Sequence, residues 1–251
     1  MRNHASGLMS QLYDYWSPHI DVEEIDFYRT LIREGGGTAL ELACATGRLL
    51  LPFLKEGFSV EGVDSSKEML DILRNKAAKA NLAPVLYHQK LEEIDIKKKY
   101  QFIYISLGSF QFIHNTDDAK LLLAKCYNML EETHKCTVAF FLPWNEMPLE
   151  SNGWNIVKDV RDKKRNERYI RREKSHHDPV EQIIESQVRF ELWSGQDLLE
   201  IEEKNLFIRW YSKGECYAMF KDAGFKQVEM QRSYVKGGVN RPSFMLFTAT
   251  K

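Results

Sequence analysis

Between Thr38 and Pro143 the chain alternates short apolar runs with longer segments whose apolar residues recur at helical spacing. The runs at 38–43 (TALELA), 59–64 (SVEGVD), 84–89 (PVLYHQ), 100–106 (YQFIYIS) and 135–143 (KCTVAFFLP) predict strands. The segment 47–57 predicts a helix closed by Gly57, and 65–81 opens on serine and carries Met69, Leu70, Leu73 and Ala77 on one helical face. A further helix over 116–132 begins with Asp117 and Asp118, where acids suit the helix dipole. Strands and helices taking turns at this spacing imply a doubly wound, mostly parallel sheet covered on both faces.

The period shortens after Pro143. Val188, Phe190 and Leu192 alternate with Arg189, Glu191 and Trp193; a turn at Ser194 and Gly195 leads to a second alternating run ending in Ile208, Arg209, Trp210 and Tyr211. This predicts an antiparallel, β-rich insertion from Trp144 to Tyr211, placed to cover whatever binds at the strand ends. A helix from Lys213 to Asp222, a stop at Gly224 and strands over 225–231 and 243–250 complete an α/β sheet of seven strands. The expected organisation is a single domain over 1–251: an N-terminal helical lid (1–34), a ligand-binding core (38–143), the insertion (144–211), and a closing helix with the last two strands (212–251).

Composition narrows the function. With 251 residues, 43% hydrophobic, the chain can bury a large core, and a net charge of -1 supplies no field for nucleic acid or an anionic membrane. No apolar run approaches a membrane span, and the first sixteen residues lack a secretory pattern. These features predict a cytoplasmic protein with a small-molecule substrate, no nucleic acid and no membrane partner, and leave a homodimer open. Cys44, Cys126, Cys136 and Cys216 are scattered without metal-ligand spacing, so neither a disulfide framework nor a metal site is expected.

In an open α/β sheet, ligands bind beyond the carboxyl ends of the strands, where a tight loop and a helix start offer backbone N–H groups. Here that loop runs from Glu41 to Gly47. Asp64, ending the next strand, is placed to accept both hydroxyls of an adenosyl ribose, a layout that also suits NAD.

The segments ALELACATGRLLLPFL and GVDSSKEML, with the AGF turn before the last strand pair, resemble class I S-adenosylmethionine-dependent methyltransferases of Rossmann-like fold. The likeness is strongest from about 38 to 75. PW at 143–144, GW at 153–154 and RWYS at 209–212 are similar to small-molecule N-methyltransferases of the glycine and aminosugar kinds. The resemblance implies that S-adenosyl-L-methionine is the cofactor. It further implies that Ala43, Ala45 and Gly47 line its methionine portion, that Glu41 orders the loop and that Asp64 takes the ribose. Arg48 reads as a solvated helix start, with a contact to the cofactor carboxylate as the alternative. Ser65 and Met69 would border the adenosine, Lys90 would stand at the adenine amino group, and Leu91 would offer its N–H to the adenine. Ser106 and Leu107 would face the sulfonium methyl, and Tyr13 would reach the cofactor carboxylate. His114 and Tyr13 are the catalytic candidates.

Three positions depart from the family pattern: Ala45 stands for a glycine, Lys90 for the aspartate that holds the adenine amino group, and Gln101 for a second frequent aspartate. An alanine forced to positive φ costs roughly 1 kcal/mol. Tyr13, Tyr15 and Trp16 read either as a lid or as an aromatic packing stripe. The cluster His176, His177, Asp178, Pro179 reads as a base or as a polar hairpin loop, and the basic run 161–165, with Arg168, Arg171 and Arg172, as a solvated loop.

A methyl acceptor with an amine nitrogen fits better than a hydroxyl, which needs a base the sequence does not identify. The segment after the fourth strand, Ser106 to Ser109, lacks the N-P-P-Y-like box of nucleobase or glutamine methylation. Two other readings compete: a nicotinamide-dependent oxidoreductase, disfavoured because Tyr100, Tyr104 and Tyr127 have no lysine four places on, and a cofactor-binding protein that transfers nothing.

Overall fold

The structure, a computed structural model, describes residues 7–16, 22–142, 153–233 and 244–251. Seven strands form the main sheet: β1 (Ala39–Leu42), β2 (Val60–Asp64), β3 (Leu86–His88), β4 (Tyr100–Ile105), β5 (Leu130–Phe141), β10 (Gln227–Ser233) and β11 (Phe244–Thr250). Their order is β10-β11-β5-β4-β1-β2-β3, with β11 the one reversed strand. The strand order turns back at β1 and β4, so a crevice opens beyond their carboxyl ends.

Side-chain alternation divides the core into two layers. Leu40, Leu42, Ile103 and Ile105 face α6 (Thr116–Met129) and α7 (Lys213–Asp222). Ala39, Phe102 and Tyr104 face α3 (Val22–Gly35), α4 (Leu50–Lys55) and α5 (Lys67–Lys79). Burial on both faces is why these strands read as continuous apolar runs.

The other four strands, β6 (Asn155–Asp162), β7 (Glu167–Asp178), β8 (Ile183–Ser194) and β9 (Asp197–Arg209), form a separate antiparallel meander in that order. Tyr169, Val188, Phe190 and Leu206 on its inner face pack on Leu8 and Leu12 of the N-terminal segment that holds α1 (Gly7–Gln11) and α2 (Tyr13–Trp16). Gln111, fully buried, joins the two sheets: its Nε2 donates to the carbonyls of Phe141 at 3.1 Å and Arg209 at 3.2 Å.

The expected α/β architecture with a β-rich insertion is the one observed, and α7 spans the residues predicted, with Ser212 and Glu215 closing a capping box. Two boundaries move for physical reasons. The helix expected over 47–57 starts at Leu50, because Gly47 at φ +82° continues the preceding turn. The helix expected over 116–132 ends at Met129, because Leu130 pairs with Tyr100 and opens β5, after which Thr133 takes a left-handed conformation within a register shift. Among the described residues no helix is long and apolar enough to cross a membrane.

Candidate active site

The loop after β1 is unusual in its backbone. Ala43 and Ala45 both adopt left-handed φ, +59° and +47°, ahead of Gly47. For alanine each such residue costs about 1–2 kcal/mol, so the conformation is imposed by the surroundings. One of those surroundings is the Ala45 N–H, which donates to Asp64 Oδ2 at 2.8 Å, while the Ser66 N–H donates to Oδ1 at 2.8 Å. The carboxylate of Asp64 is thereby aimed from the end of β2 by the loop on one side and the start of α5 on the other. Burial raises its pKa against the pull of the Ser66, Ala45 and Ser65 amides. Gly62, two residues earlier, is needed for this closeness: a Cβ there would lie 2.7 Å from Cys44 Sγ and 2.7 Å from Leu50 Cδ1.

A cavity of about 330 Å³ opens over this loop. Of the residues singled out by sequence, Tyr13, Ala43, Ala45, Asp64, Ser65, Met69, Lys90, Leu91 and His114 line it. The remainder of the wall was not anticipated: Met9 from α1, Glu92 after β3, Ser109, Phe112 and Ile113 after β4, Asn115 and Asp118 at the start of α6, and Leu206 from β9. These come from four separated segments, and no local pattern joins them.

Glu41, Gly47, Arg48, Ser106 and Leu107 are not among the lining residues. Glu41 alternates onto the sheet face covered by α3 and α4, where it is 2% exposed and accepts from Tyr104 Oη at 3.2 Å. Burial pushes its pKa up to about 8, so the carboxyl is protonated at neutral pH. Arg48 is committed elsewhere, both of its terminal nitrogens lying 2.7 Å from Glu24 of α3. Ser106 is buried and Leu107 is left-handed at φ +51°, turning the chain into the short 3-10 segment Ser109–Phe112. Gln101 lies at the opposite end of the sheet, where its Oε1 accepts from the Thr38 N–H at 2.7 Å; its departure from the family pattern does not reach the cavity.

The N-terminal segment divides its aromatic residues. Tyr13 lines the cavity, whereas Tyr15 packs on Tyr169 with ring centroids 4.6 Å apart and hydrogen bonds Asp162 at 3.1 Å. Tyr13 is thus a cavity residue and Tyr15 a packing residue; the side chain of Trp16 lies outside the described set. Asp14 between them accepts from Thr46 Oγ1 at 2.6 Å and from Lys76 Nζ at 2.9 Å, pinning the segment to the loop after β1.

His114 is positioned by the insertion. Its Nε2 lies 2.9 Å from the carbonyl oxygen of Phe207 on β9. A carbonyl only accepts, so Nε2 carries the proton and Nδ1 is the basic nitrogen of the neutral ring. His176 and His177 sit on β7 rather than in a hairpin loop, and neither lines the cavity. Burial lowers the pKa of His177. The basic run contains the β6–β7 turn, held by the Lys164 and Arg165 amides on Asp162 Oδ1, and Arg168, Arg171 and Arg172 pair with Asp159, Glu173 and Glu191. All four cysteines are free and buried.

A model of a methyltransferase domain matches residues 39–133, from β1 into β5. A protein of Geobacillus sp. (strain WCH70) that bears a methyltransferase name is 27% identical to the chain over 120 residues, 48% of this chain and 47% of the relative. The chain therefore aligns with about half the length of that curated relative. Two solved structures share the fold beyond the domain. A S-adenosylmethionine-dependent methyltransferase of Clostridium acetobutylicum superimposes with a TM-score of 0.76 at 20% identity, covering 96% of both chains. An aminopentose methyltransferase of Micromonospora echinaspora, with S-adenosylmethionine bound, gives 0.71 at 17% identity, covering 100% of this chain and 99% of the other. At that coverage the likeness takes in the insertion as well as the methyltransferase domain, and the fold is that of class I methyltransferases.

Proposed function

We propose that the chain is a cytoplasmic enzyme that transfers a methyl group from S-adenosyl-L-methionine to a small-molecule acceptor, at an amine nitrogen. The observation that carries this reading is the clasp between the left-handed loop and Asp64. It leaves a backbone with no side chain larger than methyl at Ala43 and Ala45, facing a cavity with a buried carboxylate at its edge. That donor set fits the cofactor: the Asp64 carboxylate takes the ribose hydroxyls, Ser65 and Met69 border the adenosine, and Tyr13 closes over the methionine portion. A sugar N-methyltransferase of Streptoalloteichus sp. with the same fold supports an amine acceptor.

The cofactor, when bound, supplies an electrophilic methyl on a sulfonium. The protein's own share is alignment, exclusion of water and removal of one proton. Met9, Phe112, Ile113 and Leu206 give the cavity an apolar wall. An ammonium has no lone pair to attack with, so the acceptor proton must leave first; Nδ1 of His114 receives it, since Nε2 is held by Phe207. Calorimetry against S-adenosylhomocysteine and NAD tests the reading. Binding of the first and not the second is expected, and tight NAD binding alone would end it. Labelled methyl transfer to a panel of amines then separates an enzyme from a protein that binds without transfer.

A further inference from the structure

Position 90 poses a chemical problem at the adenine end of the cavity. A 6-aminopurine presents an exocyclic amine that donates hydrogen bonds, and a lysine can only donate in return. Here Lys90 is turned to Glu93, its Nζ 2.5 Å from Oε1. An acceptor has to come from elsewhere.

The cavity wall also holds two acidic residues. Glu92 follows Lys90 and Leu91 on the loop after β3, and its carbonyl accepts from Lys125 Nζ of α6 at 2.7 Å. Asp118 precedes Lys125 by about two helical turns, so it lies on the same side of α6, over that loop. Both residues line the cavity, both are half-buried, and among the described residues neither carboxylate accepts a hydrogen bond or joins an ion pair. The neighbouring acceptor is occupied: Asn115 Oδ1 caps α6 through the Asp117 and Asp118 amides, at 2.7 and 3.2 Å.

We propose that Glu92 and Asp118 recognise the adenine amino group, replacing the acid absent at position 90 and making the site selective for 6-aminopurine over 6-oxopurine cofactors. The proposal rests on the methyltransferase reading. A 6-oxo group would set a carbonyl oxygen against two carboxylates, so the discrimination comes from repulsion as well as from the lost hydrogen bonds.

Calorimetry with S-adenosylhomocysteine and its inosyl counterpart tests it on the full chain. The wild type should bind the adenosyl form at least about tenfold more tightly, the scale of a hydrogen bond to a charged group. In E92A/D118A that preference should collapse toward unity while the thermal melt of the ligand-free protein stays in place. E92Q and D118N, which keep shape and lose charge, should each reduce it in part. Retention of the wild-type preference in the double variant overturns the proposal, as does equal binding of both ligands by the wild type. Failure of the wild type to bind S-adenosylhomocysteine at all is a distinguishable result, and it removes the underlying reading too.

Discussion

The two walls of the cavity are built in different ways. The floor, from the loop after β1 to Leu91, comes from contiguous segments at the ends of neighbouring parallel strands, and main-chain groups do the aiming, as where the Ala45 and Ser66 amides hold Asp64. The cover comes from α1, α2 and β9, elements far apart in sequence, and a few side chains fasten it: Asp14 to Thr46 and Lys76, Gln111 to Arg209, and His114 to Phe207. A floor set by backbone geometry tolerates side-chain change as long as the turn survives. A cover fastened by single side chains can be loosened one contact at a time.

Four variants would break or sharpen this contrast. Phe190→Ala, at a residue 1% exposed between the insertion and the N-terminal helices, should cost about 3–5 kcal/mol. Urea unfolding should then show the cover melting ahead of the main sheet; a single transition with an unchanged midpoint would deny that the cover has its own core. Asp64→Asn should weaken S-adenosylhomocysteine binding by about 2–3 kcal/mol, roughly a hundredfold, because a charged acceptor is lost from the floor. His114→Asn should lower kcat about a hundredfold and leave that binding unchanged. A loss in cofactor affinity instead would move His114 to the floor. Ala45→Gly is the mildest: relief of the left-handed φ, partly offset by a more flexible unfolded chain, should raise stability by about 0.5 kcal/mol with binding intact.

The hidden acid beneath the floor supplies a pH test. Glu41 has an ordinary value of 4.5 and is pushed up to about 8 by burial, so between those limits the folded state holds a proton that the unfolded chain has released. Stability from this group is complete below the lower limit and falls as pH rises toward the upper one. Glu41→Gln should flatten that decline in chemical denaturation measured from pH 5 to 8. A parallel decline in the variant would assign it to another group.

The contrast also explains what was legible in the sequence. Continuous apolar runs and helical spacing revealed the strand and helix alternation because the parallel strands are buried on both faces, and the Glu41–Gly47 loop stood out because consecutive residues build it. Glu41, expected to order that loop, lies beneath it: alternation along β1 sends its side chain to the α3 side, where it accepts from Tyr104. The cover was legible only as an element. Val188 and Phe190 signalled a sheet, yet nothing in the spacing of Met9, Asp118 and Leu206 reveals that they meet across one cavity. Asp14 and Gln111 were missed for the same reason, since each acts through a partner at least thirty positions away.

Among the described residues, the four strands of the insertion exchange ladder hydrogen bonds only with one another. Descendants of this chain can lengthen, twist or shift that meander without disturbing a single rung of the seven-stranded sheet. One side of the cavity is therefore open to experiment in evolution while the other is inherited intact.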